Sequence, residues 1–310
     1  MKKIVFVLPQ IKTGGGVRVI VELANILCKS YQVYIVIPNS KIDCTFFIDK
    51  RIVIKKVGKL ATNKLSKLLN LIKVPSFLKR EFKDDFIIIT DPIQAITFLP
   101  YSFKNLFRFI QADDYKIFDD LLLLKNRFNL FIYKFLTKLS YQKNHSFFFN
   151  SDYTYEMFLK VSKRDDIEKK IVHPAINYKL FYPPKMPKNN EPLTIAYIAR
   201  KHPLKRFDDF IASFKRLDTN LKVYVISHDD LSSFDTKDFT QICPKDDSEI
   251  ADILRQSDIY VFTSLWEGFG LPPLEAMACG CAVVSSDAKG INEYAKDEKN
   301  ALIYPPANNS

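Results

Sequence analysis

The 310-residue sequence has little of what marks fibrous, secreted or membrane-spanning chains. It contains only 8 glycines and 5 cysteines, while its hydrophobic content of 47% is that of an ordinary globular protein. Collagen-like, low-complexity and wholly disordered chains are therefore excluded. No apolar run approaches the roughly 20 residues that span a bilayer. The first run, Ile4–Leu8, ends at Pro9 without a signal-peptide cleavage site, so we interpret it as a first strand.

The cysteines are odd in number and scattered, at positions 28, 44, 243, 279 and 281. Cys279 and Cys281 flank a single glycine, and neither a histidine nor a second cysteine pair lies near them at the spacing of a zinc site. We therefore expect no zinc site. Unpaired thiols are typical of proteins in the reducing cytoplasm.

Acidic residues are scarce in the first part of the chain. Residues 1–185 carry 32 Lys and Arg against 16 Asp and Glu, whereas residues 186–310 carry 14 against 19. A net charge of +16 is thus followed by one of −5. This imbalance indicates an anionic partner for the first part, either nucleic acid or a membrane surface. The alternative is a general lysine bias that only keeps the surface solvated.

Predicted strands and helices alternate along the chain. Apolar runs of strand length recur at Ile4–Leu8, Gln32–Ile37, Ile52–Val57, Phe86–Thr90, Asn105–Ile110 and Ser146–Asn150. The helical stretches between them include Val17–Lys29, Leu60–Ile72 and Phe118–Leu139. Nearly continuous apolar strands separated by helices predict an α/β fold, with a parallel sheet covered on both faces.

A proline-rich segment divides this pattern into two. Residues 182–192 hold four prolines and no periodicity, so we expect a linker at 184–192 between domains at 1–183 and 193–310. The pattern then restarts with strands at Leu193–Ile198, Lys222–Ile226, Ile259–Thr263 and Ala282–Ser285. The second domain is therefore predicted to be a second doubly wound α/β unit.

A glycine-bearing turn follows the strand that ends at Thr263, within Ser264-Leu-Trp-Glu-Gly-Phe-Gly-Leu-Pro-Pro-Leu-Glu275. Open α/β sheets bind ligands at this carboxyl edge, and a helix that begins at Pro272 offers backbone N–H groups to an anion. Glu267 and Glu275 would lie poorly beside phosphate but could accept hydrogen bonds from hydroxyls. A sugar nucleotide meets both requirements. The alternative is a capped helix with two solvated glutamates.

This stretch closely resembles the E-x7-E signature of glycosyltransferase family 4, whose members are retaining GT-B enzymes. The resemblance continues through residues 279–286 and 289–293 to Asn300–Pro306, which is similar to the family's "NG-L-V-PP" ending. It implies two doubly wound Rossmann-like domains that face each other across a cleft. Family members usually continue past these prolines, so we expect the second domain, which stops at Ser310, to lack the usual terminal helices.

The same resemblance implies roles for individual residues. Glu267 would contact the donor sugar hydroxyls and Glu275 would hold the ribose. The turn between them would present backbone amides to the sugar and the diphosphate, from Gly268, Phe269, Gly270 and Leu271.

A second match opens the second domain, at Ile195-Ala-Tyr-Ile-Ala-Arg-Lys-His-Pro-Leu-Lys-Arg206. It resembles the family's GR-x4-K segment, in which the Arg and the Lys neutralise the diphosphate leaving group, so Arg200 and Lys205 are the candidates here. Ala199 replaces the usual glycine, and Arg206 stands where a glycine commonly follows. The chain contains no D-x-D motif, which argues against the metal-dependent GT-A class. We therefore expect neither a metal nor a cofactor, the nucleotide sugar being a co-substrate.

Two further segments carry weaker matches. The three glycines between Pro9 and Glu22 resemble the family's GG loop, which implies that Gly15 and Gly16 pack against the donor phosphates and the acceptor. Residues 240–245 resemble the strand and loop that cradle the nucleobase. The backbone contacts implied there come from Gln241, Ile242 and Pro244.

Polar residues follow the fifth predicted strand, where family members often place a histidine. They are Gln111, Asp113 and Asp114, and they are our candidates for the acceptor side, with Asp113 as a candidate catalytic residue. An acidic loop or a helix cap is the alternative interpretation.

The segment from Lys55 to Lys83 contains nine basic residues and only one acidic residue, Glu81. The apolar residues Leu60, Leu65, Leu68, Leu69 and Ile72 recur there at helical spacing, and between them stand Lys64, Lys67 and Lys73. A basic amphipathic helix of this kind lies on anionic membranes, so these three lysines are the predicted membrane contacts. The alternative is a surface helix that packs its leucines on the sheet.

Together these features predict a cytoplasmic retaining glycosyltransferase, peripheral on the inner face of the cytoplasmic membrane. The expected partners are a UDP-, GDP- or dTDP-linked sugar donor and a glycan, lipopolysaccharide-type or lipid-linked acceptor. No nucleic-acid-binding motif occurs, so we expect no nucleic-acid partner. The alternatives are another GT-B enzyme, such as a sugar-nucleotide epimerase or a phosphorylase, and a non-enzymatic binder of membranes or polyanions.

Overall fold

The structure is a computed structural model that describes residues 2–119, 126–217 and 220–306, without the side chain of Lys64. The chain divides into two compact units, and the boundary between them lies between His173 and Pro174. The predicted division, with a linker at 184–192, lies later in the sequence than this boundary.

Residues 174–192 belong to the second unit because their side chains are bound there. Phe181 is buried in the core of that unit. The Lys188 ammonium donates a hydrogen bond to the carbonyl of Gly280 at 3.0 Å. The segment contains no helix or strand, and it lies along the second unit.

The first unit is built on a six-stranded parallel sheet. Its strands are β1 (Ile4–Val7), β2 (Val33–Pro38), β3 (Val53–Val57), β4 (Phe86–Ile89), β5 (Leu106–Ile110) and β6 (Ser146–Phe149). They stand in the order β3-β2-β1-β4-β5-β6. Each strand agrees with its predicted position to within one residue at either end, because short runs rich in β-branched and aromatic residues mark these positions in the sequence.

The helices described in this unit are α1 (Gly15–Leu27), α2 (Lys64–Glu81), α3 (Pro92–Thr97), α4 (Arg127–Tyr141) and α5 (Asp152–Ser162). The helix predicted at 118–139 begins instead at Arg127, where the Asn126 side chain accepts a hydrogen bond from the N–H of Phe128. Residues 120–125 of that prediction lie outside the described residues. The start of α2 is fixed by a capping box between Asn63 and Ser66.

The second unit repeats the architecture. Its strands are β7 (Thr194–Ile198), β8 (Lys222–Ile226), β9 (Thr240–Ile242), β10 (Ile259–Phe262), β11 (Ala282–Ser286) and β12 (Leu302–Tyr304), in the order β12-β11-β10-β7-β8-β9. Its described helices are α6 (Phe207–Phe214), α7 (Asp247–Gln256) and α8 (Leu271–Ala278). In each sheet the strand order reverses beside the unit's first strand, β1 or β7, and open α/β sheets bind ligands at such a point.

Both units are therefore doubly wound α/β structures, as the sequence predicts. Among the helices of residues 2–119, 126–217 and 220–306, none is long and apolar enough to cross a bilayer.

Candidate active site

Two loops that follow neighbouring strands of the second sheet form the candidate active site. Strands β7 and β10 pair in parallel, and residues 199–206 follow β7 while residues 263–270 follow β10. The loops are bonded to each other, since the N–H of Leu265 donates to the carbonyl of Leu204 at 2.9 Å. The two motifs that resemble family 4, far apart in the sequence, therefore meet at the point where the strand order reverses.

The side chains of Lys205 and Glu267 form an ion pair between these loops. Both remain partly exposed, by 26% and 21% of their side-chain surface. The Lys205 ammonium also lies over the ring of Phe262, 5.7 Å from its centroid. The candidate for the diphosphate and the candidate for the sugar hydroxyls thus lie side by side. Partly exposed pairs contribute little to stability, so a charged ligand can replace this one at modest cost.

Arg200 is held by an acid that the sequence analysis missed. The Arg200 Nε donates to Asp229 Oδ2 at 3.2 Å, and the same oxygen accepts the N–H of Lys201 at 2.6 Å. Asp229 follows β8, the strand next to β7, so its place at the carboxyl edge of the sheet is the signal that could have found it. With 39% of its side chain exposed, Arg200 remains available to a ligand.

Arg206 adopts a left-handed backbone conformation just before α6, and its side chain binds Asp209 of that helix. Its φ of +53° lies in the left-handed region, which favours glycine at this position. Its guanidinium makes two hydrogen bonds to Asp209, at 2.7 and 2.9 Å. Because Arg206 is engaged in this way, Arg200 and Lys205 are the cations best placed for a diphosphate.

A cavity of about 510 Å³ opens beside the same loop. It is lined by residues 200–203 and 206–209 together with Phe234. It shares Arg200 with the predicted donor site but none of the residues of the turn at 267–271. Burial lowers the pKa of His202 in this cavity, and Lys205 lowers it further, so the imidazole is neutral near pH 7.

Glycine is required at two positions around the turn that follows β10. Gly270 has a φ of +83°, and a Cβ there would lie 2.7 Å from Cγ2 of Ile291. A Cβ on Gly290 would lie 2.4 Å from the carbonyl carbon of Gly268. The turn is therefore packed backbone against backbone on the segment around Gly290. That close approach fixes the shape of the turn in which the donor amides are predicted.

Tyr294 also contacts the turn at 267–271, through its hydroxyl and its ring. Its hydroxyl donates to the carbonyl of Gly270, and its ring lies 5.3 Å from the ring of Phe269. Burial raises the pKa of Tyr294, and the charges of Glu267 and Glu275 raise it further, so the phenol stays protonated and able to donate. The sequence analysis missed this residue because no local pattern links a tyrosine to a backbone carbonyl so far from it in the chain.

Glu275 is buried in α8, with only 3% of its surface exposed. The alternative of a solvated glutamate is therefore wrong for this residue. Burial raises the pKa values of Tyr260 and Tyr294, and the charge of Glu275 raises them further. The role of Glu275 toward the ribose stays a prediction.

The segment predicted to cradle a nucleobase forms strand β9 and the loop after it. The Gln241 side chain donates to Thr236 Oγ1 at 2.7 Å, and the carbonyl of Ile242 accepts the N–H of Ser227 at 2.9 Å. Pro244 is buried at the end of the strand. These bonds place β9 at the edge of the second sheet, and the nucleobase contact stays a prediction.

In the first unit, the glycine loop and the predicted acceptor residues come together. Helix α1 begins at Gly15, and the Gln111 side chain donates to the carbonyl of Gly16 at 3.3 Å. Apart from its chain neighbours and the adjacent backbone of α1, no described atom lies within 4 Å of a Cβ built on Gly15, so there is open space beside this residue.

Asp114 does not face an acceptor as expected. Its buried carboxylate is bonded to the buried guanidinium of Arg108 at 2.7 Å. Burial raises the pKa of Asp114 to about 6, although Arg108 acts in the opposite direction. Asp113 is also buried, and its carboxylate accepts the N–H of Lys116 at 3.1 Å. The catalytic role of Asp113 stays a prediction. The contact observed here is the hydrogen bond that its carboxylate accepts from the N–H of Lys116.

The structure decides how α2 is oriented on the first sheet. Its buried side chains are Asn70, Val74, Pro75 and Leu78. Its apolar residues Leu65, Leu68, Leu69 and Ile72 are between 48% and 65% exposed, so the alternative that they pack on the sheet is wrong. Lys67 and Lys73 are exposed, and the side chain of Lys64 lies outside the described part of the chain.

Comparison with known proteins finds a family match in the second unit. Residues 179–310 match the family model of glycosyl transferases group 1. The D-inositol 3-phosphate glycosyltransferase of Mycobacteroides abscessus is 23% identical over 48% of this chain and 38% of its own length. The N-acetylgalactosamine-N,N'-diacetylbacillosaminyl-diphospho-undecaprenol 4-alpha-N-acetylgalactosaminyltransferase of Campylobacter jejuni is 23% identical over 98% of this chain and 86% of its own length.

Solved structures share the fold. Sucrose-phosphate synthase from Thermosynechococcus elongatus superposes with a TM-score of 0.78 at 14% identity, covering 99% of this chain and 87% of that one. WaaG, a glycosyltransferase involved in lipopolysaccharide biosynthesis, gives 0.74 at 15% identity, with 97% and 86% covered. Anabaena HepE, solved with UDP-glucose, gives 0.69 at 16% identity, with 99% and 86% covered. The predicted fold class, α/β of the GT-B type, is confirmed.

Proposed function

We propose that the protein is a retaining, metal-independent glycosyltransferase of family 4. It transfers a sugar from a nucleotide-sugar donor to a glycan or lipid-linked acceptor. The observation that carries this proposal is the Lys205–Glu267 ion pair at the carboxyl ends of β7 and β10. It joins a cation for the diphosphate and an acceptor for sugar hydroxyls at one point, and these are the two groups that a nucleotide sugar needs.

The proposed reaction breaks the bond between the sugar C1 and the diphosphate oxygen. Negative charge grows on that oxygen, where Lys205 and Arg200 stabilise it. Glu267, released from Lys205, accepts hydrogen bonds from the sugar hydroxyls and fixes the ring. The acceptor oxygen bonds to C1 on the face that the phosphate leaves, so the configuration is retained. The acceptor's proton passes to the departing phosphate oxygen, and no covalent enzyme intermediate forms.

The rest of the donor is assigned to groups around this pair. Glu275 holds the ribose, the amides of residues 268–271 face the sugar and the diphosphate, and the backbone of residues 241–244 faces the base. In the first unit, Gly15 and Gly16 are assigned to the donor phosphates and the acceptor, and Gln111 to the acceptor. UDP-sugars are the donors to test first, because the fold neighbour from Anabaena was solved with UDP-glucose.

The acceptor is proposed to be lipid-linked and the protein peripheral on the inner face of the cytoplasmic membrane. Two observations support this. The Campylobacter relative is named for a diphospho-undecaprenol substrate. In the first unit, the exposed leucines of α2 lie beside exposed lysines, as in helices that bind anionic lipid surfaces.

The test is donor turnover by a Lys205→Gln variant. Loss of the charge that stabilises the leaving group should lower kcat by about 10²- to 10³-fold. Lys215→Gln is the matched control, because Lys215 also forms an ion pair in the second unit, with Asp235, away from the turn. The assay measures nucleoside diphosphate release from UDP-, GDP- and dTDP-linked sugars.

Two outcomes would overturn the proposal. If Lys205→Gln turned over the donor as fast as Lys215→Gln, the ion pair would not be the leaving-group site. If the wild type bound nucleotide sugars but never turned them over, with lipid-linked or soluble acceptors, the alternative of a non-enzymatic binder would hold.

A further inference from the structure

Helix α4 of the first unit is arranged with its polar side inward. The side chains that it buries are Tyr133, Thr137, Ser140 and Tyr141. Its exposed face carries large apolar side chains, between 38% and 67% exposed, at Phe128, Phe131, Ile132, Phe135 and Leu139. Their spacing of three, four and seven residues places them along one stripe of the helix.

The polar interior explains why the helix is oriented this way. Arg108 is buried beneath α4 and donates to Ser140 Oγ at 2.6 Å, while its ion pair with Asp114 lies alongside. The Tyr133 hydroxyl donates to the carbonyl of Asp114. A buried guanidinium must be surrounded by acceptors, so the polar side of α4 faces the sheet and its phenylalanines are left outside.

This stripe belongs to a larger surface. Helix α3 packs against both α2 and α4, so the three helices cover one face of the first sheet. The exposed leucines of α2 and the phenylalanines of α4 therefore lie on the same side of the unit. Helix α1 lies on the opposite face, because right-handed crossovers that run in opposite directions along a sheet place their helices on opposite sides.

The charges of this surface indicate what covers it. Helix α4 contains Arg127, Lys134 and Lys138 and no acid, and the only acid in α2 is its last residue, Glu81. A second copy of the chain would bring the same positive charges against them. An anionic lipid surface supplies negative headgroups for the bases and hydrocarbon for the rings.

We infer that α2 and α4 form one membrane-docking face, in which the phenylalanines of α4 enter the lipid and the lysines of α2 bind the headgroups. A helix that lies flat in the interface buries its apolar side at the headgroup boundary, as this stripe would. The inference rests on the proposed membrane location, and it adds a hydrophobic contact that salt does not screen.

The experiment compares two triple variants of the whole chain. The first replaces Phe128, Phe131 and Phe135 with glutamine. The second is a control on the α1 face, where Ile26, Tyr31 and Phe47 are equally exposed, and replaces those three with glutamine. Co-sedimentation is measured with vesicles of phosphatidylglycerol and phosphatidylethanolamine, at low salt and at about 1 M salt, where the Debye length is about 3 Å.

The wild type and the control should retain part of their vesicle binding in high salt, whereas the Phe128, Phe131 and Phe135 variant should lose it. The partition coefficient should fall by about a hundredfold, because three partly buried rings leave the lipid. Circular dichroism and nucleotide binding confirm that each variant is folded. Exposed side chains can be replaced without opening a cavity.

Equal sedimentation of the two triple variants in high salt would overturn the inference. So would a wild type that is dimeric by sedimentation velocity and becomes monomeric in the phenylalanine variant, because the face would then join two copies. Failure of the proposed enzymatic function is a separate result, since it appears as absent donor turnover in all variants, whatever their vesicle binding.

Discussion

The ammonium of Lys205 and the carboxylate of Glu267 form an ion pair. In the proposed donor complex, a nucleotide sugar separates them by offering phosphate to the cation and hydroxyls to the carboxylate. Both ligand ends are required to replace both halves of the pair. A free nucleoside diphosphate would leave Glu267 without a partner, so the proposed pair favours the intact donor over the product.

Glu275→Gln tests the ribose contact without opening a cavity, since the side chains have nearly equal volume. We expect the nucleotide dissociation constant to rise about tenfold, because a charged acceptor is exchanged for a neutral one. Isothermal titration calorimetry with nucleoside diphosphates measures it. An unchanged dissociation constant would remove Glu275 from the proposed site, and a changed melting temperature alone would mark it as structural.

Tyr294→Phe removes the hydroxyl that bonds the carbonyl of Gly270 and keeps the ring. We expect nucleotide-sugar binding to weaken about three- to tenfold, because the turn at 268–271 loses one of the bonds that fix it. Tyr260→Phe is the matched control, since the Tyr260 hydroxyl is buried and has no hydrogen-bond partner among the described residues. Equal donor affinity in both variants would show that Tyr294 does not position the turn.

At the scale of elements, α2 and α4 show that helical periodicity leaves the orientation of a helix open. The apolar residues of α2 recur at helical spacing, yet the helix packs through Asn70, Val74, Pro75 and Leu78. In α4, a buried arginine beneath the helix determines which side faces inward. The orientation of each helix therefore depends on which side chains of the sheet lie beneath it.

The lysines of α2 should supply the salt-sensitive part of vesicle binding. Replacing Lys64, Lys67 and Lys73 with glutamate should abolish binding to anionic vesicles at low salt, since each base near such a surface contributes about 1 kcal/mol. The control replaces Lys29, Lys41 and Lys50, which are exposed elsewhere in the first unit, with glutamate. Donor binding should be unchanged in both. If the two variants sediment alike, α2 is not the headgroup contact.

At the scale of the whole molecule, the net charges of the two parts of the chain have opposite signs. Residues 1–185 carry +16 and residues 186–310 carry −5. An anionic surface therefore attracts the first part and repels the second. The exposed basic and apolar face of α2 and α4 belongs to the first unit, which lies within the positively charged part of the chain.

Chelation tests whether protein cations alone carry the leaving-group charge. With Arg200 and Lys205 in that role, EDTA should leave transfer within about twofold of the untreated rate. The measurement is initial rate with and without EDTA, followed by added Mg²⁺ or Mn²⁺. Activity that disappears with EDTA and returns with either ion would mean that the diphosphate is bound through a metal.

The sequence by itself determined the six strands of the first sheet and β7, β8, β10 and β11 of the second, because short apolar runs can be placed from local composition. It also marked Lys205 and Glu267, since their motifs are contiguous. Only the tertiary structure brought these two together, through the parallel pairing of β7 and β10. It also turned Arg206 onto Asp209, buried Asp114 against Arg108 and placed Tyr294 on Gly270. The orientations of these side chains depend on how they pack in the folded protein, and the sequence pattern alone does not show them.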